Sequence, residues 1–220
     1  KITEIAALKV VDGVISKRYV TFVNPGRSLG AHITQLTGIT DKMSADAPPI
    51  EELIDDVVRF CGDLSLLGHN IRFDYSFLKH AAVNRGLEFE RHGIDTLTRC
   101  RAFMTGDTRK NLSCACAYFH VPQSTAHRAQ ADAEAAHLLY QELMSRHGQD
   151  QPDMFAPRPL IYKAKMDQAA TKRQKEYLQD LLKCHRIDIT VQIEDMSRSQ
   201  ASRMIDTIIS QYGRIPRQIF

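Results

Sequence analysis

Two acidic residues stand where a chain of alternating strands and helices could bring them together. Asp74 follows the apolar run 64–68 and lies in the first turn of a predicted helix, and Asp132 lies in the first turn of the longest one. Ligands of open α/β sheets bind beyond the carboxyl ends of the strands, which is where this order places Asp74. Its position predicts a metal-binding carboxylate, although a carboxylate in a first turn also favours the helix dipole.

A histidine precedes the second of these carboxylates by five residues. His127 lies in the loop after Pro122, and Asp132 is anchored on the helix that follows. A histidine with a pKa near 6.5 can accept a proton from a metal-bound water at neutral pH. A single histidine before a helix is more often a surface residue, but its pairing with Asp74 on a neighbouring element favours a site.

A third segment could approach a ligand through its backbone. Residues 37–40 read Thr-Gly-Ile-Thr, which predicts a short loop with its closest backbone approach at Gly38. A plain turn is the alternative interpretation of this segment.

The elements that must position these residues follow an α/β order. Two β-rich runs joined by Asp12-Gly13 predict a hairpin over 2–23. Apolar periodicity then predicts helices over 49–61, 71–86, 96–104, 112–119 and 129–146, with strands at 64–68 and 89–95. The order predicts a three-layer α/β fold with a mixed sheet flanked by helices.

The C-terminal part of the chain differs in composition from the rest. Residues 1–147 carry the α/β pattern, residues 148–169 are rich in Pro and Gly and predict a linker, and residues 170–220 predict a small helical module. Capping boxes predict that its two helices begin after Thr171 and Ser197. Residues 151–220 contain 12 basic against 8 acidic residues, which is compatible with a polyanionic partner or with a solvated face.

Composition excludes several classes of protein. The chain has 220 residues, 43% of them hydrophobic and 25% charged, as in ordinary globular proteins. No apolar run reaches the roughly 20 residues that span a bilayer, so we expect no membrane association. The five cysteines are scattered and odd in number, which favours a reducing, cytoplasmic location over a disulfide framework.

Several motifs occur in an order that resembles one family. Residues 1–146 resemble the DEDDh 3′–5′ exonucleases, and most of all the proofreading exonucleases of bacterial replicative polymerases (the DNA polymerase III epsilon subunit and the PolC exonuclease domain). The matching segments are 2–10, 24–26 (Asn-Pro-Gly), 36–40 (Leu-Thr-Gly-Ile-Thr), 69–74, 95–96 (Asp-Thr) and 127–132. Each is unspecific alone, but six in the same order form a strong signal.

The resemblance implies a fold, a cofactor and roles for residues. It implies an RNase H-like fold in which Asp74 and Asp132 bind Mg²⁺ or Mn²⁺, two ions in the intact protein, and His127 is the general base. It also implies that a terminal nucleotide is bound by the following residues: Leu36, Thr37, Gly38, Ile39, His69, Asn70 and Phe73.

One family motif does not occur in the sequence. The family's first strand carries Asp-x-Glu, whose carboxylates bind both metal ions, and we expect this strand upstream of Lys1, so that the chain begins inside a longer protein. It would be the central strand of the sheet, and Glu4 does not replace it because Glu4 belongs to the next strand. Without that strand we expect no nuclease activity.

Two functions follow from these observations. The first is a metal-dependent 3′–5′ exonuclease that releases nucleoside monophosphates from a DNA, or RNA, 3′ end in proofreading, repair or replication. The alternative is an inactive exonuclease fold that binds nucleic acid or a replication partner. An Asp-x-Glu within about fifteen residues upstream would favour the enzyme.

A short peptide in the predicted linker suggests a protein partner. Gln151, Met154 and Phe155 resemble the peptide by which bacterial replication proteins bind the sliding clamp, and a polymerase is a second possible partner. An extended segment stiffened by Pro152 loses little entropy on binding, and the two apolar residues offer an anchor. Packing of Phe155 on its own domain is the alternative.

Overall fold

The chain forms two compact units in a computed structural model that describes residues 1–124, 126–189 and 192–215. The units are Lys1–Ala164 and Lys165–Phe220. The first contains β1 (Glu4–Val11), β2 (Val14–Phe22), α1 (Ala31–Thr37), α2 (Asp41–Ala45), α3 (Ile50–Cys61), β3 (Leu66–Gly68), α4 (Ile71–Asn84), β4 (His92–Asp95), α5 (Thr96–Phe103), α6 (Leu112–Tyr118), α7 (Ala129–His147) and β5 (Arg158–Pro159). The second contains α8 (Lys172–His185) and α9 (Arg198–Tyr212).

The N-terminal hairpin forms as the sequence predicts. Strands β1 and β2 pair antiparallel from Glu4 opposite Phe22 to Val11 opposite Val14. Both turn residues have positive φ, 51° at Asp12 and 79° at Gly13, which an Asp-Gly turn tolerates. The hairpin is a separate two-stranded sheet, and no strand of the described residues joins it to the other strands of the unit.

The second sheet positions the candidate carboxylates. Strand β3 pairs parallel with β4, with Gly68 opposite Asp95, and β5 pairs antiparallel with β4. Because β3 and β4 are parallel, their carboxyl ends lie at one edge, and α4 and α5 begin there. The mixed sheet thus brings the N-termini of two helices side by side.

The hydrophobic core connects the hairpin to the helices. One cluster joins Ile5 and Val23 of the hairpin region to Ile54 on α3 and Tyr75 on α4. A second cluster lies under α5, α6 and α7, with Leu139 completely buried. Helix α7 contacts both β1 and β3, so the helix that carries Asp132 is fixed against both sheets.

Two short helices flank the loop that the sequence predicts at 37–40. Helix α1 ends at Thr37 and α2 begins at Asp41, so Thr37 is helical, Gly38, at φ 71°, ends α1, and residues 38–40 form the loop. No residue of α1 is buried, and apolar periodicity therefore cannot reveal this helix. The local signal is Gly38 at its end and Thr40, whose hydroxyl caps α2.

Residues 148–164 are attached to the first unit, which corrects the prediction of an extended linker there. Pro152–Met154 form a 3-10 turn, and Arg158 pairs with Gly93 in the sheet. Leu160 is buried against Gly93, where a Cβ atom would lie 2.7 Å from a Leu160 methyl carbon. The division between units lies between 164 and 165; the limits at 147 and 170 stay predictions.

The second unit is a small helical body with its own core. Both predicted capping boxes are present, at Thr171 with Gln174 and at Ser197 with Gln200. Leu178, Leu181 and Ala201 have no solvent exposure. Residues 216–220 of the predicted module lie outside the described residues. No helix in the described part of the chain is long and apolar enough to cross a bilayer.

Candidate active site

Asp95 joins the two strand ends at the candidate site. Its Oδ1 accepts a hydrogen bond from the Leu97 N–H at 3.0 Å, which caps α5. The same atom accepts one from the Asn70 N–H at 2.8 Å, where Asn70 begins α4 with a φ of 67°. Asp95 therefore fixes the start of the helix that carries Asp74. The sequence does not reveal this role of Asp95, although an aspartate at the end of a strand is a helix-capping signal.

Asp74 lies in the first turn of α4, in an environment that disfavours its ionised form. Its side chain is solvent-accessible but protein atoms surround it on most sides. Desolvation, together with the negative charges of Asp95 and Asp132, raises the pKa of Asp74 from 3.8 to about 6. The effect of Asp132 on this pKa means that the structure brings the two predicted metal ligands into one region.

Asp132 is held at the beginning of α7 by the loop that precedes it. Its Oδ1 accepts hydrogen bonds from Gln123 Nε2 at 3.0 Å and from the His127 N–H at 3.3 Å. Desolvation nevertheless raises the pKa of Asp132 above its ordinary value, and the negative charge of Glu4 adds to the increase. No sequence motif marks Gln123 as a residue of this site, because its role depends on the fold of the loop.

His127 is exposed and has an uncommon backbone conformation. Its φ is 65°, in the left-handed region that is unfavourable for a residue with a side chain. The backbone N–H bonds to Asp132, and the imidazole is close enough for its charge to lower the pKa of that carboxyl. The structure therefore places His127 beside Asp132.

Glu4 is an acidic residue with a buried side chain that stabilises the fold through an ion pair and a backbone hydrogen bond. Its side chain is 6% exposed and accepts hydrogen bonds from Arg128 Nη2 at 2.8 Å and from the Ala129 N–H at 2.9 Å. Burial raises the pKa of Glu4, but these two donors outweigh it and hold the pKa below its ordinary value. Glu4 thus ties β1 to the start of α7 and supports the position of Asp132.

Three predicted nucleotide-binding residues lie at the end of β3 and the start of α4. His69 Nε2 is 2.7 Å from the Lys110 carbonyl oxygen and its Nδ1 is 3.0 Å from Thr96 Oγ1, so both ring nitrogens have partners. Asn70 is exposed and bonds to Asp95 through its backbone. Phe73 is 59% exposed, with its ring edge-on to Phe77 at 5.0 Å.

The other predicted nucleotide-binding residues lie at the end of α1. Leu36 is 44% exposed, whereas Ile39 is 1% exposed and packs inside the protein. The Thr37 hydroxyl donates to the Ile33 carbonyl and accepts from the Ile39 N–H at 3.2 Å. Leu36 and the open face of Gly38 are thus accessible to a ligand, and the Ile39 side chain is not.

The predicted clamp-binding residues differ in accessibility. Phe155 is 4% exposed and packs with the rings of Phe103 and Tyr140, at centroid distances of 6.2 Å and 6.0 Å. Met154 is partly buried beside the same cluster, and Gln151 is exposed. Clamp binding stays a prediction, and it requires Phe155 to leave this core.

The two carboxylates are chemically suited to a hard divalent cation, but they are too few to form a complete ligand set. Asp74 and Asp132 supply oxygen ligands, which Mg²⁺ and Mn²⁺ prefer, and their raised pKa values mean that a cation would relieve an unfavourable negative charge. Among the described residues, however, no group of three or more His, Cys, Asp or Glu side chains is arranged to hold a metal. The two aspartates are therefore a partial ligand set.

The sequence and the fold are similar to known exonucleases. Residues 1–140 match the family model described as Exonuclease (RNase_T). The chain is 40% identical over 146 residues to the PolC-type DNA polymerase III of Bacillus subtilis, covering 64% of this chain and 10% of that protein. It is 29% identical over 147 residues to the 3′-5′ exonuclease DinG of the same organism, covering 66% and 16%.

A solved structure extends the similarity to the fold. Exonuclease X in complex with 5′ overhanging duplex DNA matches with a TM-score of 0.53 and 26% identity, covering 67% of this chain and 84% of that one. The first unit therefore has the α/β, RNase H-like fold. The chain spans about a tenth of the length of the PolC-type relatives it matches.

Proposed function

We propose, from the premise that this chain belongs to the Exonuclease family, that it contributes the catalytic part of a metal-dependent 3′–5′ exonuclease. The observation that carries the proposal is the environment of Asp74 and Asp132. Two helix N-termini hold these carboxylates in one region, each with a raised pKa, beside the accessible His127. A cation-binding role explains why an unfavourable acidic pair is kept there.

Asp74 and Asp132 would hold the catalytic cations, Mg²⁺ or Mn²⁺. Two bound cations would supply an activated water and stabilise the leaving 3′ oxygen. The remaining ligands would have to come from the Asp-x-Glu motif of the family's first strand, which does not occur in this sequence. Within this chain, Asp95 and Glu4 act on the aspartates by fixing the helices that carry them.

His127 is the proposed general base. It would take the proton of the attacking water, and its link to Asp132 keeps it next to the carboxylate. The loop around His127 would thus couple the position of the base to that of a metal ligand.

The proposed substrate is the 3′ end of DNA. The support is the similarity to a PolC-type polymerase and to Exonuclease X, which was solved with DNA. Leu36 and Phe73 offer exposed apolar surface for the terminal nucleotide, and Thr37, Gly38, His69 and Asn70 shape the backbone around it. Proofreading is the proposed role, with a polymerase or sliding clamp as partner.

Substitution in a chain extended by the upstream strand tests the proposal. Asp74→Ala and Asp132→Ala should abolish Mg²⁺- or Mn²⁺-dependent release of mononucleotides from a labelled 3′ end, and His127→Ala should lower its rate by about 100-fold or more. Arg85→Gln, at the far end of α4, is the matched control and should keep wild-type activity. Loss of His127 should also flatten the pH dependence near neutrality, whereas loss of an aspartate should weaken Mn²⁺ binding measured by NMR line broadening. Full activity of His127→Ala would refute the general-base role.

The alternative proposal is an inactive binding module. It is favoured by the partial ligand set, since two aspartates alone are a poor site for two cations. A chain with its native upstream sequence that binds single-stranded DNA but neither binds Mn²⁺ nor releases nucleotides would support this function over the enzyme.

A further inference from the structure

Three exposed arginines lie on segments that adjoin the end of β3, namely α4, α5 and the loop before α6. Arg72 lies in the first turn of α4, Arg101 in the last turn of α5, and Arg109 in the loop before α6. All three are exposed, and none forms an ion pair or a side-chain hydrogen bond within the described part of the chain. Other arginines of this unit do have carboxylate partners, as Arg59 has Asp56 and Arg85 has Asp55.

His69 connects the three segments that carry these arginines. Its Nε2 donates to the Lys110 carbonyl at 2.7 Å, which fixes the residue that follows Arg109. Arg72 is three residues after His69 in the chain. Arg101 is close enough to the His69 ring that its charge contributes to lowering the histidine pKa, after the larger effect of burial. The imidazole therefore links the start of α4 to the loop before α6, the segments that carry Arg72 and Arg109.

Stability alone does not explain this arrangement. A cation in the last turn of α5 favours the helix dipole, which accounts for Arg101 but not for the other two. Arg72 lies in a first turn, where a positive charge is unfavourable. The loop before α6 contains one acidic residue, Asp107, and it pairs with none of the three. Like charges gathered without partners indicate a surface whose partner is an external anion.

We propose that Arg72, Arg101 and Arg109 form an arginine rim that binds backbone phosphates of the nucleic acid strand upstream of its 3′ terminus. The guanidinium group suits phosphate because it donates two parallel hydrogen bonds and stays charged at every physiological pH. Arg72 is two residues from Asp74 on α4, and His69, which links the segments of the rim, lies just before that helix, so a strand whose 3′ end is held at the carboxylates would have its next phosphates near the rim. The inference rests on the proposed function, since it assigns a substrate contact to the same site.

The salt dependence of binding tests the rim without requiring catalysis. A fluorescein-labelled, single-stranded 12-mer DNA is titrated with the full chain in EDTA, at NaCl concentrations from 50 to 200 mM, and binding is followed by anisotropy. Each phosphate contact to a single strand contributes about 0.7 to the slope of log K against log salt. The triple variant Arg72→Gln/Arg101→Gln/Arg109→Gln should therefore lower the slope by about 2. Wild-type affinity should fall about 20-fold more than that of the variant over this range.

Matched variants separate the rim from net charge and from folding. Arg59→Gln/Arg85→Gln removes paired arginines and should leave the slope within about 0.3 of wild type. Each single rim variant should lower the slope by about 0.7. The single variants therefore still test the rim if urea denaturation shows that the triple variant is less stable than wild type. Equal slopes for wild type and the single variants would overturn the rim, as would an equal loss in the control. If the extended chain shows no nuclease activity but the rim variants still lower the slope of log K against log salt, only the enzyme proposal is refuted.

Discussion

Replacing Asp74 with asparagine should stabilise the protein at neutral pH. The pKa of Asp74 is raised from 3.8 to about 6 by desolvation and by the charges of Asp95 and Asp132. A folded-state pKa above the unfolded value means that the folded protein binds the proton more tightly. Ionisation therefore costs stability, and this cost begins as the pH rises above about 4 and is complete above about 7. Asp74→Asn removes the charge and the cost.

The structure sets the size of this effect. A pKa moved from 3.8 to about 6 corresponds to about 3 kcal/mol when ionisation is complete. Because the Asp74 side chain is exposed, solvent screening reduces the expected gain to about 1 kcal/mol. We expect Asp74→Asn to raise the free energy of unfolding by that amount at pH 8 and to leave it unchanged at pH 4.

Urea denaturation at a series of pH values measures the gain. Unfolding followed by circular dichroism at pH 4, 5, 6, 7 and 8, in EDTA, gives the difference between Asp74→Asn and wild type. Asp63→Asn, which removes one exposed carboxylate outside the site, is the control. A constant difference across the series, or a loss of stability at pH 8, would refute the electrostatic argument for this site.

Two further predictions concern the buried side chains of Phe155 and Glu4. Phe155→Ala should lower the free energy of unfolding by about 3 kcal/mol, because it leaves a cavity among buried rings; Gln151→Ala should change it by less than about 0.5 kcal/mol, and equal losses would mean that the segment is detached. Glu4→Gln should lower it by about 2 kcal/mol at pH 7 by leaving Arg128 unpaired. Since the pKa of Glu4 is lowered, that difference should shrink as the pH falls below about 4, and an equal loss at pH 3 would contradict it.

Local signals in the sequence predicted much of the fold. Asp12-Gly13 specifies its own turn, and Thr171 and Ser197 cap helices through their own side chains, so these elements form as predicted. The family resemblance and the RNase H-like fold are confirmed by the comparisons. Such features depend on residues close in the chain or on patterns shared across the whole unit.

Features that depend on distant contacts were not predictable. The composition around Pro152 and Pro157 indicates a linker, yet Leu160 fits over Gly93 because that strand residue has no side chain. The strand β5 exists only because β4 offers a free edge. Helix α1 lacks a buried face, so no periodicity marks it. In the first two cases the contacting residues lie far apart in the sequence, and in the third no buried contact leaves a pattern to detect.

The same limit applies to the acidic residues, whose roles depend on their partners and not on their type. Glu4 begins β1, and Asp74 lies in the first turn of the helix that follows β3. Glu4 is buried with Arg128 and the Ala129 N–H as donors, and its pKa falls, as expected of a structural ion pair. Asp74 faces other carboxylates, and its pKa rises. An uncompensated charge of this kind supports the proposed cation site at Asp74 and Asp132, whereas Glu4 has the environment of a structural ion pair.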